Sequence, residues 1–193
     1  MFFHASQVGG LCVLKPHVSN HERPLLYLSA KRENVPVYLS NAVEKYCRET
    51  GFAHNGKWHT WASYGFDTDG ILRLDEYYPD AVRDTYKGIS GYIYSAEVDV
   101  QTAIDIGIPD AVAVAQPVSV SDVEYIEDAY CELLKAEREG LIRIRRYEQH
   151  SKQMMSWIET TIRKEYMQAE TAPDYRHFLR AKFSFIKRTE LKK

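Results

Sequence analysis

An α+β fold is the architecture this chain calls for, with antiparallel strand pieces first and a helical C-terminal region after them. Three observations point that way. Short apolar runs ending in polar residues, Phe2–Ser6 and Leu25–Ser29, have the length and composition of buried strands. Two β-prone runs flank Asp67-Thr68-Asp69-Gly70, the pattern of a hairpin closed by an Asp-Gly turn. Apolar residues at three- and four-residue spacing dominate from residue 121 onward. Strands and helices do not alternate regularly, which argues against a doubly wound parallel sheet. There is no dinucleotide glycine fingerprint and no phosphate loop.

The first strand, residues 2–6, is broken by Gly9-Gly10, and Leu11–Leu14 is a short apolar run stopped by Pro16. Residues 16–24 are polar and read as a loop before the second strand, Leu25–Ser29. Val35, Leu39, Val43 and Tyr46 or Cys47 then recur at helical spacing. Pro36 suits the first turn, Asn34 the N-cap and Gly51 the C-terminal stop. The aromatic run Trp58–Phe66 and the run Ile71–Tyr77 form the hairpin, and Asp80–Tyr86 is a short helix between Pro79 and Gly88. Ile89–Val98 is a strand in which Tyr92, Tyr94, Ala96 and Val98 share one face. Ala111–Val120 is a further strand region with Pro117 inside it. Ser121 and Glu124 make a capping box for a helix whose stripe is Val123, Ile126, Tyr130, Leu133 and Leu134, closed by Gly140. Residues 141–144 form a short strand. A helix from Ser151 carries Met154, Met155, Ile158, Ile162 and Tyr166 as its packing face, Pro173 breaks it, and Tyr175–Ile186 is a last basic helix. This gives a domain over residues 1–120, with the hairpin inside it, and a helical basic region over 121–193 packed on it.

Composition narrows the function classes. At 45% hydrophobic and 27% charged, the chain has an ordinary globular make-up. The 14 tyrosines suit a half-wet core or an interface. No apolar run reaches the roughly 20 residues that span a bilayer, so no membrane partner is expected. Met1-Phe2-Phe3-His4 lacks the basic region of a signal peptide. Cys12, Cys47 and Cys131 form neither a metal pattern nor a disulfide framework, which fits a reduced cytoplasm. Residues 143–193 hold 13 Lys and Arg against 6 Asp and Glu, a net +7, and residues 1–142 hold the remaining 12 and 21, a net −9. Such a split fits a basic surface for a nucleic acid, or a helical tail that pairs with its own acidic body.

The chemistry-bearing residues lie on the early strands. His4 and Tyr27 each stand near the end of an apolar run, and Glu97 stands near the end of a later one. A carboxylate inside an apolar strand is costly unless it is paired or used. His4 also reads as a strand-end histidine satisfied by backbone groups, and Tyr27 as a core tyrosine. Trp58, His59, Trp61 and Tyr64 form a wall for a flat ligand or the packing of the hairpin. The spacing of His54 and His59 is a faint metal signal without a thiol or acidic partner.

Phe3-His4-Ala5-Ser6, Leu26-Tyr27-Leu28-Ser29 and Gly91-Tyr92-Ile93-Tyr94-Ser95-Ala96-Glu97 occur in this order. In that order they resemble the ADP-ribosyltransferase-like families. The patterns are those of the small rifampicin-modifying ADP-ribosyltransferases and, more distantly, the RNA 2'-phosphotransferases. The resemblance covers roughly residues 2–105, with residues 53–88 standing as a hairpin insertion. Ala5 departs from it, standing where those enzymes have a glycine, and no Glu-x-Glu pair is present. It implies a small split antiparallel β-sheet core whose cleft binds NAD as a substrate, through His4, Ser6, Tyr27 and Ser29. His4 would hydrogen-bond a ribose and Tyr27 would stack on the nicotinamide ring. Glu97 or Asp105 would supply the acid. The implied activity is ADP-ribosyl transfer to an unknown acceptor. A non-catalytic ligand- or protein-binding module, or an RNA-directed protein using the basic C-terminal region, are the other readings.

Overall fold

The computed structural model describes residues 1–18, 23–56 and 63–186. It is α+β. The strands are β1 (Phe2–Ser6), β2 (Val13–Leu14), β3 (Leu26–Ser29), β4 (Ser63–Phe66), β5 (Leu72–Asp75), β6 (Gly91–Ala96), β7 (Ile104–Asp105), β8 (Ala111–Val114), β9 (Val118–Ile126) and β10 (Ile142–Arg145). The α-helices are α1 (Ala42–Thr50), α2 (Ala81–Tyr86), α3 (Ala129–Arg138), α4 (Lys152–Gln168) and α5 (Pro173–Lys182).

Two compact units emerge, and each is built from several stretches of chain. The first comprises the described residues within 1–40, 65–73 and 86–143, and the second those within 41–64, 74–85 and 144–193. The sequence boundary expected near residue 120 falls inside β9, and the stretch 53–88, expected as one insertion, is shared between both units.

The first unit holds a seven-stranded sheet in the order β2-β9-β6-β1-β3-β8-β7. Neighbouring strands run antiparallel. One face buries Phe2, Leu14, Leu26, Leu28, Tyr94, Ala96 and Val114 together. Each large apolar side chain sunk there contributes about 1.5–3 kcal/mol relative to exposure. Tyr94 is fully buried, and its hydroxyl donates to the Val8 carbonyl at 2.7 Å. Gly91 opens β6 where a larger residue would crowd its neighbours: a Cβ there would lie 2.5 Å from Leu39 Cδ2 and 3.0 Å from the Ser6 carbonyl oxygen.

The second unit is a helical packing. Val43 and Cys47 of α1, Ile158, Ile162 and Tyr166 of α4, and Tyr175, Phe178 and Leu179 of α5 share one buried cluster with Tyr77 and Tyr78. The stripe read from Met154 to Tyr166 is therefore a packing face, with Met154 and Met155 at its edge. A three-stranded sheet runs in the order β10-β5-β4. The Asp67–Gly70 hairpin turn forms as expected, with Asp67 N–H donating to the Ile71 carbonyl at 3.0 Å.

Three elements differ from expectation. Residues 121–126 are strand, not the opening of a helix. Gly91 to Ala96 align with Ile126 to Val120, and that ladder outweighs a local capping pattern. The helix begins at Ala129 instead, with Asp128 accepting from Cys131 N–H at 3.0 Å. The helix expected from Pro36 divides into a 3-10 turn, Pro36–Leu39, and α1. Ser40 between them is extended, and Asn41 caps α1 by accepting from Val43 N–H. Pro173 starts α5 rather than only ending its predecessor, as the first-turn tolerance of proline allows.

Candidate functional site

The site lies where β1 and β3 meet in the large sheet. β1 aligns with β6 along its whole length, from Phe2↔Ala96 to Ser6↔Tyr92. Among the described residues it aligns with β3 at one position, Phe3↔Ser29. Beside that position a side chain makes the link between the strands. His4 Nδ1 lies 2.9 Å from the Tyr27 carbonyl. A carbonyl only accepts, so Nδ1 carries the proton. In the neutral ring the Nε2 lone pair is left as an acceptor. Burial pushes the His4 pKa down, and the bond to the Tyr27 carbonyl only partly offsets that.

A pocket of about 40 Å³, open to solvent, sits at this seam. A volume of this order holds a few waters, and a small molecule enters only with movement of the wall. His4 and Ala5 from β1 and Tyr27, Leu28 and Ser29 from β3 line it. Asn34, Val35 and Tyr38 from the two 3-10 turns, Phe66, and Ile106, Ile108, Pro109 and Ala111 complete the wall. The lining is mostly apolar, with a few polar groups from the strand ends. The described lining residues include no lysine, arginine or carboxylate.

The structure thus brings His4, Tyr27 and Ser29 of the expected set together. Ser29 is buried and its hydroxyl oxygen accepts from Lys31 N–H at 3.1 Å. Ser6 does not line the cleft, and its hydroxyl accepts from Val8 N–H. Glu97 is not within a strand: β6 ends at Ala96. Its side chain is 71% exposed, 3.3 Å from the Met1 amine, and borders a different groove with Asp99 and Thr102. The cost of a carboxylate inside a strand therefore does not arise. Asp105 ends β7 and accepts from Gly107 N–H at 2.8 Å. It is exposed, but its neighbour Ile106 is on the cleft wall.

Asn34, Tyr38 and Phe66 were not legible as site residues. Asn34 looked like a helix cap, and it is a buried member of the turn Arg32–Asn34. The signal that could have found it is its place five residues after Ser29, on a chain that turns at once. Of the aromatic wall, Trp58, His59 and Trp61 lie outside the described residues, and Tyr64 is exposed on β4. His54 Nδ1 lies 2.9 Å from the buried carboxylate of Asp174. Burial alone would push the Asp174 carboxyl up, but the Asn55 and Tyr175 amides and His54 hold it below the usual range. Among the described residues no group of three or more His, Cys, Asp or Glu side chains is placed to hold a metal ion.

Several basic residues of the C-terminal quarter meet acidic partners within their own unit. Arg145 pairs with Asp75, Lys182 with Asp84 and Arg163 with Glu159, while Arg143 spans Asp67 and Asp69. No helix among the described residues is long and apolar enough to cross a membrane. Comparison with protein-family models, curated proteins and solved structures finds no match to this chain.

Proposed function

We propose that the cleft binds the nicotinamide–ribose end of NAD and that the chain transfers ADP-ribose from it to an acceptor. The observation that carries this reading is the meeting of His4, Tyr27 and Ser29 in one apolar cleft at the sheet seam. A neutral His4, with Nε2 as acceptor, suits a ribose hydroxyl. The Tyr27 ring offers a flat face to a planar leaving group. In the reaction the bond from the ribose anomeric carbon to the pyridinium nitrogen breaks, and nicotinamide leaves with the electron pair. An acceptor nucleophile forms the new bond to that carbon and loses its proton. Positive charge builds on the sugar, and a carboxylate stabilises it. Asp105 is the acid nearer the wall and takes this role in our reading. The three cysteines are free thiols, which suits the reduced cytoplasm we propose as the compartment.

A second reading, a ligand-binding module without catalysis, is favoured by one observation: the described lining residues include no carboxylate. One experiment separates the two. The protein is titrated with NAD in a calorimeter, then incubated with NAD while free nicotinamide is followed by mass spectrometry. Binding with nicotinamide release, both lost in His4→Ala, is the outcome expected of transfer. Binding without release selects the module, and no binding removes the transfer reading.

A further inference from the structure

β9 is nine residues long, and one of its edges is covered over part of that length. β6 aligns with it from Val120 to Ile126. On the other side β2 aligns with Val118 and Ser119, and its chain last meets β9 where the Cys12 carbonyl accepts from Val120 N–H at 3.0 Å. Among the described residues no strand lies beside Ser121–Ile126 on that side. An edge of this kind presents outward N–H and C=O groups to an extended chain that arrives there. Its side chains set what that chain must carry. Val123 and Tyr125, aligned with Tyr94 and Tyr92, project from one face and are 50% and 58% exposed. The Tyr125 ring stands 5.3 Å from that of Tyr92, which continues the apolar rim inward. Asp122 and Glu124 project from the opposite face, Glu127 follows the end of the strand, and all three are exposed. None of these residues lines the cleft at His4.

We propose that the open edge of β9 is a docking site for an extended peptide segment with apolar residues at alternate positions and lysine or arginine between them. The backbone of the segment continues the ladder. Its apolar side chains lie beside Val123 and Tyr125, and its cations face the acidic side of the strand. Charge decides against a second copy of this chain in that place. A two-fold antiparallel pair of β9 strands centred on Asp122 or Glu124 sets that acid opposite itself. Centred on Val123 it sets Asp122 opposite Glu124, and centred on Tyr125 it sets Asp122 opposite Asp128. Like charges directly opposite one another destabilise a strand pair, and a basic segment meets no such opposition. Arg32 already holds Glu124, through Nε at 2.8 Å and Nη2 at 2.7 Å. Asp122 and Glu127 are therefore the acids that offer their charge to the segment.

The test is fluorescence anisotropy of the full chain with a fluorescein-labelled octapeptide of alternating lysine and valine. The peptide should bind, and the same peptide with glutamate for lysine should bind at least about tenfold more weakly. Asp122→Lys combined with Glu127→Lys changes two exposed positions outside the Arg32 pair, and should weaken the lysine peptide at least about tenfold. Strand addition is read from N-methylation. Methyl groups on every valine amide block one edge of the peptide, and methyl groups on every lysine amide block the other. One methylated peptide should lose at least about tenfold in affinity while the other stays within about threefold of the parent. Equal binding of the lysine and glutamate peptides overturns the proposal. So do undiminished binding by the double variant, equal effects of the two methylations, and absence of binding up to about 1 mM peptide. A dimer of the full chain in sedimentation that Tyr125→Lys dissolves puts a second copy on this edge and overturns it too.

Discussion

At the scale of the residue, His4 couples fold and cleft through one proton. Its folded pKa lies below the ordinary histidine value of about 6.5, with burial the main cause. The unfolded chain therefore takes up a proton before the folded chain does. This contribution to stability is complete above the ordinary value, and declines as pH falls through it toward the folded pKa. Replacing His4 with Gln, which cannot titrate, should flatten that limb. The gap between wild-type and variant urea midpoints should shrink between about pH 7.5 and 5.5. A gap that stays constant over that range would exclude His4 as the titrating group. His4, Tyr27 and Ser29 were legible in the sequence because short apolar runs announce strands, and polar groups at their ends face whatever the strands enclose. Glu97 was not placed correctly by the same logic, whereas Asp105 came from the family resemblance and not from strand periodicity. Two-residue periodicity gives the faces of a strand and not its last residue, and a carboxylate one position past the end is in water. Asn34 was misread because Asn before a proline-led turn has the same sequence signature whether it caps a helix or plugs a cleft wall.

At the scale of the element, β9 shows why patterns of a few residues mislead. Ser121 and Glu124 match a capping box, but Val118, Val120, Val123 and Tyr125 belong to a run that supplies β6 with an antiparallel neighbour. A ladder over the length of β6 outweighs two local hydrogen bonds. Asp128 is the cap that α3 uses, and it also accepts from Gly88 N–H at 2.8 Å. Burial alone would push its carboxyl up, but the amides of Gly88, Cys131 and Tyr130 together hold it below the ordinary range. With the folded pKa depressed, this stabilisation is present above the unfolded value and is lost as acid protonates the group. Asp128→Ala should cost about 1 kcal/mol at neutral pH and Asp128→Asn less, read as shifts in the urea midpoint. Equal losses would mean that the carboxylate charge, and not the cap geometry, matters. By contrast Asn41 and Gly51 bound α1 by simple local chemistry: Asn41 accepts from Val43 N–H, and Gly51 takes a φ of 68°. The C-terminal stop was read directly from the glycine.

At the scale of the whole molecule, neither compact unit is a continuous stretch of chain. The division changes side at residues 40/41, 64/65, 73/74, 85/86 and 143/144. Sequence reading expects units to follow one another, and nothing local in composition reveals an interleaved pair. The consequence is testable by truncation. A fragment of residues 1–120 deletes all but the first residues of β9 and strips β6 of its Gly91–Ser95 partners. It should lack the cooperative thermal transition of the full chain, as followed by circular dichroism. A cooperative fragment would show that the large sheet tolerates the loss of β9. The charge asymmetry has a local counterpart, since Arg143, Arg145, Arg163 and Lys182 each face a carboxylate close by. In mechanical terms, the Phe3–Ser29 pairing and the His4–Tyr27 bond, which link β1 and β3 among the described residues, make the middle of the large sheet a seam, with β2-β9-β6-β1 on one side and β3-β8-β7 on the other. Load applied across the strands finds that line first. A molecule bound against the His4 and Tyr27 side chains would act as a rivet through it, and occupancy of the cleft would become readable as resistance to tearing.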